Sequence, residues 1–178
     1  MSKNLYMEKM GKKAKLASSH LSSLNIDKRN AVLKQFNQYL KTNTQLILNS
    51  NKKDISNARS KKIKNSMIER LELNNKKIEQ IRSSIDEIIK FKDPLGKILS
   101  SWRRPNGLII KRVSIPIGVI GVIYESRPNV TSDVSALCFK TGNVVILRGG
   151  SEAFHSNKIL AKLFKRALKK KKCNENCV

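Results

Sequence analysis

Residues 113–152, VSIPIGVIGVIYESRPNVTSDVSALCFKTGNVVILRGGSE, constrain the fold more than any other stretch of the chain. The run from Ile115 to Tyr124 is apolar and β-branched, broken only by Pro116, Gly118 and Gly121. Continuous patterning of that kind suits a parallel strand buried on both faces better than an alternating surface strand. Glu125-Ser126-Arg127-Pro128-Asn129 then makes a polar exit. Helical spacing over 131–141 (Val134, Leu137, Cys138) predicts a helix with Thr131 or Ser132 as N-cap and Gly142 as its stop. Val144 to Leu147 is a second buried strand, and Arg148-Gly149-Gly150-Ser151 turns into another helix. The stretch is therefore one βαβ crossover whose loops sit at the carboxyl ends of two parallel strands. That edge is where open α/β sheets bind ligands.

The chain has 178 residues, room for one domain or one and a half. Its 37 Lys+Arg against 13 Asp+Glu leave a formal net charge of +24. The basic residues are spread along the whole length and mixed with Asn and Ile, so a solvated surface accounts for them. Binding of an anionic ligand is the other reading. Aromatics are few and not interleaved with the basic residues, which argues against a stacking platform for single-stranded nucleic acid. Met1 to Lys15 is charged throughout and lacks the apolar centre of a signal peptide. No apolar run is long enough to span a bilayer, and a cytoplasmic protein is the expectation. Three cysteines, an odd count, argue against a disulfide framework. Cys138 falls on the apolar side of the crossover helix, whereas Cys173 and Cys177, in a lysine-rich tail, read as free surface thiols.

Residues 1–96 read as a helical segment. Lys alternates with Leu5, Met7, Met10, Leu16 and Leu21 at loose helical intervals, giving a surface helix over 3–22. Asn25 or Asp27 can cap a second helix carrying Val32, Phe36, Tyr39 and Leu40 on one stripe. Thr42 to Thr44 interrupts the pattern, and residues 51–60 add a further helical turn or two. Ser66-x-x-Glu69 has capping-box spacing. From Asn75 the isoleucines 78, 81, 85, 88 and 89 recur at three and four, until Asp93-Pro94 stops the helix. The stripe is core, and no catalytic constellation occurs in this segment. Residues 97–114 change period and read as a β-hairpin turning at Pro105-Asn106-Gly107, with Trp102 packing on the main body. Residues 115–170 hold the βαβ unit and a closing helix whose first turn carries His155. Residues 171–178 read as a disordered tail.

There is no G-x-G-x-x-G, no Walker lysine loop, no zinc spacing and no kinase signature. The Arg148-Gly149-Gly150-Ser151 turn has two readings. Small residues allow close backbone approach, helix N–H groups favour an anion, and an arginine adds a bidentate donor for phosphate. A plain strand-to-helix connection is the alternative.

Two runs carry a resemblance. Pro116-x-Gly118-Val119-x-Gly121-x-Ile123-Tyr124-Glu125-Ser126-Arg127-Pro128-Asn129-Val130 resembles the glutamate-5-semialdehyde dehydrogenase (gamma-glutamyl phosphate reductase) family of the aldehyde dehydrogenase superfamily. So does Gly142-Asn143-x-Val145-Ile146-Leu147-Arg148-Gly149-Gly150-Ser151-Glu152-Ala153, continuing through His155-Ser156-Asn157. The upstream helices and the Arg104-Pro105-x-Gly107-Leu108 hairpin also look like the family's amino-terminal region. The resemblance implies an α/β, aldehyde dehydrogenase-like fold: an amino-terminal helical layer, a β-hairpin, and the first βαβ unit of an incomplete Rossmann-like cofactor domain. The activity it implies is NADPH-dependent reduction of L-glutamyl 5-phosphate to L-glutamate 5-semialdehyde with release of phosphate, a step of proline biosynthesis. A cysteine thiolate attacks the acyl phosphate, and the resulting thioester accepts hydride.

By the same resemblance Asn129 matches an oxyanion-hole amide. Arg148, with Gly149 and Gly150, matches the contact to the cofactor's adenosine ribose. Ser151 stands where NAD-preferring relatives often carry a glutamate, and a small neutral residue leaves room for the 2′-phosphate of NADP. Glu125 and Ser126 match positions along the adenosine side. Arg127 is a candidate for the substrate's anion on position alone. The family's full-length members form homo-oligomers. A complete member is longer, and none of Cys138, Cys173 and Cys177 matches its nucleophile. The chain therefore looks like an amino-terminal piece, truncated before the catalytic cysteine and inactive by itself. The alternative function is a basic, non-catalytic module that binds nucleic acid or a full-length homologue.

Overall fold

Among the described residues five helices precede the first strand, because the first ninety residues bury apolar side chains at a helical period. In the computed structural model residues 3–178 are described, with side chains from Leu5 onward. The helices are α1 (Lys3–Ser22), α2 (Ile26–Thr42), α3 (Thr44–Ser60), α4 (Asn65–Leu71) and α5 (Asn75–Lys90). Asn25 caps α2 by accepting from the Lys28 N–H at 2.9 Å, and Asn74 caps α5 by accepting from the Lys77 N–H at 2.8 Å. The isoleucine stripe of α5 is buried at 78, 81, 85 and 88.

An antiparallel hairpin follows, β1 (Ile98–Arg103) with β2 (Ile109–Val113). Gly107 turns it with φ of +86°, a conformation that favours glycine. The βαβ unit is β3 (Val119–Ile123), α6 (Pro128–Lys140) and β4 (Val144–Arg148), with the two strands parallel and Ile123 level with Arg148. A 3₁₀ turn (Ser151–Ala153) leads into α7 (Phe154–Lys170), and a last 3₁₀ turn (Glu175–Cys177) closes the chain.

The core lies between α2, α5, α6 and α7. Phe36, Phe139 and Phe164 are fully buried there, with ring centroids of Phe36 and Phe164 4.7 Å apart and of Phe139 and Phe164 5.7 Å apart. A buried polar network ties the helical layer to the crossover. Arg29 is 1% exposed; it donates to the Lys140 carbonyl and pairs with Asp93 at 2.5 Å. The Lys140 ammonium donates to the Asn30 side-chain oxygen and the Ile89 carbonyl, each at 2.7 Å.

Several expectations need correction. In α1 the buried face is Ala14, Ala17 and Leu21, while Leu5, Met7 and Leu16 are exposed. The alanines let this helix lie close over β4. Helix α3 is one unbroken helix of 17 residues, because Asn51, Asp54 and Ala58 bury polar or small groups that hydropathy does not score. Ser66 forms no capping box: α4 starts at Asn65 after Lys64, with no side-chain cap. Helix α6 starts at Pro128, not Thr131, because a proline at the first helical position needs no N–H partner. Trp102 does not anchor the hairpin and is 45% exposed.

Residues 171–178 do not fray. Cys177 is buried against the core beside partly buried Cys173 and Val178, so Cys177 is not a surface thiol. The strand expected over 115–124 contracts to Val119–Ile123, and it is not buried on both faces. Val144 and Val145 of β4 are buried, but Ile115, Ile117 and Ile123 are 79%, 83% and 86% exposed. Among the described residues each strand of this sheet also leaves one edge unpaired. The chain alone is therefore expected to self-associate. Sedimentation velocity checks this, and a dispersed monomer over a wide concentration range contradicts it.

Candidate functional site

The parallel pair brings its carboxyl ends level, and the Tyr124 N–H donates to the Arg148 carbonyl at 3.1 Å, so the two exit loops start side by side. Between them, under α1 and along α7, opens a groove of about 990 Å³. Ile123, Leu147 and the exposed ring of Phe154 form its apolar floor, and Arg148, Gly149, Gly150 and Ser151 form its end. Two cations reach it. Arg148 is exposed at the end of β4, and Lys158 sits one turn along α7 from Phe154, its ammonium 5.5 Å from the Phe154 ring centroid. No carboxylate lines the groove among the described residues.

Asp54 sets the position of α7. This α3 carboxylate is 1% exposed and caps the helix, accepting from the His155 N–H at 3.0 Å and the Ser156 N–H at 2.7 Å. The Ser156 hydroxyl also donates to it at 2.7 Å. Sequence reading missed this cap, since the residue lies about a hundred positions from the helix it serves.

The two glycines serve the protein's own packing. A Cβ on Gly149 would overlap the Asn157 side-chain amide and lie 2.9 Å from Tyr124 Cζ. One on Gly150 would overlap the Ser126 hydroxyl and lie 3.0 Å from Glu152 Oε2. Tyr124 Oη and Thr131 Oγ1 are 2.7 Å apart, and Thr131 donates to Asn157 Oδ1 at 2.9 Å, so β3, α6 and α7 are joined beneath the turn. Ser126 donates to Glu152 at 2.5 Å, a hydrogen bond that holds that carboxyl below its usual range.

Through its other oxygen Glu152 accepts from the exposed Ser151 hydroxyl at 3.0 Å. Ser126 supports the turn from behind. Glu125 points away from the groove and pairs with Arg70 at 3.4 Å and Arg127 at 3.5 Å, all three side chains being exposed.

Asn129 faces a second, separate cavity of about 250 Å³ between α6, α4 and α5, together with Asp133, Arg70, Lys77, Gln80 and Ser84. The Asn129 amide donates to Asp133 Oδ2 at 3.3 Å. The other Asp133 oxygen is buried without a partner, and burial pushes that carboxyl up. Arg148 to Ser151 and Asn129 thus line separate cavities, and Arg127, at the N-cap position of α6 with no side-chain cap hydrogen bond, lines neither.

The cysteines stand apart from both cavities. Burial raises all three thiols, Cys177 to about 12, whereas an activated nucleophile needs the reverse shift. None lines either cavity among the described residues, and no group of acidic, histidine or cysteine side chains there could hold a metal ion. No described helix is long and apolar enough to cross a membrane.

No protein-family model matches the chain. It is 46% identical over 169 residues to gamma-glutamyl phosphate reductase of Carboxydothermus hydrogenoformans, a match covering 95% of this chain and 41% of that protein. It is 43% identical over 176 residues to the gamma-glutamyl phosphate reductase of Thermodesulfovibrio yellowstonii, covering 99% of this chain and 42% of the relative. In fold it is similar to the gamma-glutamyl phosphate reductase of Thermotoga maritima, with a TM-score of 0.93 at 39% identity over 96% of this chain and 41% of that one. At 16% identity, propionaldehyde dehydrogenase of Rhodopseudomonas palustris shares the fold alone, with a TM-score of 0.63. The fold is aldehyde dehydrogenase-like, and the chain spans about two fifths of the length of the relatives it matches.

Proposed function

From a chain that groups with the gamma-glutamyl phosphate reductases, in sequence and fold, over the two fifths of their length that it spans, we propose that it supplies two binding elements of an NADPH-dependent reductase. The reaction is reduction of L-glutamyl 5-phosphate to L-glutamate 5-semialdehyde with release of phosphate, placing the protein in proline biosynthesis. The observation that carries this reading is the division of the crossover into two cavities. One is apolar-floored and cationic at the carboxyl ends of the strands, and the other is polar around Asn129.

The groove suits a nicotinamide dinucleotide. Its apolar floor and the Phe154 ring offer a surface for an adenine, and Arg148 and Lys158 offer charge to phosphate. Glu152 is held by Ser126 and Ser151 and lines a neighbouring cavity, so the charges that the groove itself offers an added 2′-phosphate are those of Arg148 and Lys158, which favours NADP over NAD. When bound, the cofactor supplies hydride. Asn129 donates its amide to the acyl oxygen as negative charge gathers there, a role that needs a fixed donor on a rigid helix. Arg127, immediately before the same helix, is assigned to the substrate's anion from its position in the sequence alone. The nucleophile is not one of the three cysteines, which are buried or raised and line neither cavity.

Arg148→Ala is expected to weaken NADPH binding about tenfold, the value of one charge-assisted contact to phosphate or ribose. NADH should bind wild type more weakly than NADPH and be less affected by the substitution. Fluorescence titration of both nucleotides checks this. Equal affinity of the two nucleotides, untouched by Arg148→Ala, overturns the assignment.

A further inference from the structure

We propose that the second cavity holds the amino-acid end of the substrate, with Asp133 receiving its α-ammonium group and Arg70 its α-carboxylate. This rests on the reductase reading above and deepens it, making Asp133 and Arg70 specificity-determining residues.

Asp133 lies four residues along α6 from Asn129, an axial distance of about 6 Å, and the two side chains touch at 3.3 Å. In a glutamyl group the acyl carbon and the α-carbon are three carbon–carbon bonds apart, a separation of the same order. A substrate whose acyl oxygen meets Asn129 therefore brings its α-carbon to the level of Asp133. Among the described residues only Ser132 and Asp133 carry a buried side-chain polar atom without a partner. Only Asp133 of these two lines a cavity among those found at the site. Asp133 as a whole is only partly buried and lines the cavity, where its carboxylate, already accepting from Asn129 through Oδ2, is the acidic group that α6 offers to a ligand cation. Burial also raises the Asp133 carboxyl, and an ammonium beside it would favour the charged form again.

The opposite wall carries Arg70 and Lys77 together with Glu72. Arg70 is exposed and among the described residues engages Glu125 alone, through one nitrogen at 3.4 Å, so most of its five donors remain for a carboxylate. Lys77 is already committed: its ammonium donates to the Glu69 carbonyl at 2.9 Å and the Glu72 carbonyl at 2.6 Å, fixing the end of α4 that carries Arg70. Asp133 on the α6 side and Arg70 on the α4 side match the two charges of an α-amino acid. A plain dicarboxylate would meet Asp133 as a like charge.

The test uses the intact chain and three probes, followed by backbone amide shifts at the second cavity. L-Glutamate carries both groups, 4-aminobutyrate lacks the α-carboxylate but keeps an ammonium, and glutarate lacks the ammonium. The expected order for wild type is L-glutamate tightest and glutarate weakest. Asp133→Asn should weaken L-glutamate roughly tenfold and leave glutarate unchanged or improved. Arg70→Gln should weaken glutamate and spare 4-aminobutyrate. The isosteric amide keeps the fold, and the same sample is titrated with NADPH as a control. The proposal is overturned if glutarate rivals L-glutamate, if Asp133→Asn changes neither, or if L-glutamate moves no signal at the cavity. Where NADPH still binds the groove, such a result removes the Asp133 assignment alone. Where NADPH fails as well, the reductase reading falls with it.

Discussion

Asp54→Ala lowers the stability of the chain by about 3–4 kcal/mol, a large share of the 5–15 kcal/mol typical of a folded domain. The carboxylate is buried and meets three donors: two backbone N–H groups of α7 and the Ser156 hydroxyl. Alanine leaves those donors buried with no acceptor and removes the helix cap, which is worth about 1 kcal/mol even on an exposed helix. The effect reaches the groove, because the capped turn directly follows Ser151–Ala153. A drop of about 10 °C in the melting midpoint is expected, with faster amide exchange concentrated at 154–158. Asp54→Asn should recover part of the loss, since its side-chain oxygen can still accept. A midpoint within a degree or two of wild type contradicts this account of what seats α7.

Gly149→Ala costs about 2–3 kcal/mol by overpacking. The new methyl would overlap the Asn157 amide and press on the Tyr124 ring at 2.9 Å, and both side chains belong to the chain that joins β3, α6 and α7. Relief requires Asn157 to leave Thr131, so NADPH affinity should fall together with stability. Gly11→Ala is the control. Nothing lies within 4 Å of a Cβ there, and the residue sits inside α1, where alanine should stabilise by up to about 1 kcal/mol. Chemical denaturation of the two variants side by side checks the contrast. Gly149→Ala unfolding like wild type would mean that the turn has slack the structure does not show.

The parallel strand pair, the crossover helix and the helical layer were legible because each follows a hydrophobic period. The α5 isoleucines recur at three and four and are buried where they recur. The glycines of the 149–150 turn were legible as small residues, but not the reason for their size. Sequence suggests room for a ligand, whereas the crowding comes from Asn157, Tyr124 and Ser126, two of them more than twenty positions away. Asp54, Arg29 and Lys140 escaped notice because a charged residue in a helical pattern reads as solvated surface. Their partners, Ser156, Asp93 and Asn30, are distant in sequence. Lys158 and Phe154, four apart, were within reach as an i, i+4 pair beside the Arg148 turn. The tail looked featureless for a simpler reason: a run of lysines hides Cys177 and Val178, which pack beneath α1.

The most direct measurement is an NADPH titration of the isotopically labelled chain, followed residue by residue through backbone amide shifts at moderate salt. The account predicts saturable shifts clustered at 121–124, 147–151 and 154–158, around the strand ends and the first turns of α7, with the α5 face silent. Shifts scattered over the lysine-rich helices, vanishing as salt rises and reproduced by duplex DNA, would contradict it and identify a general polyanion surface instead.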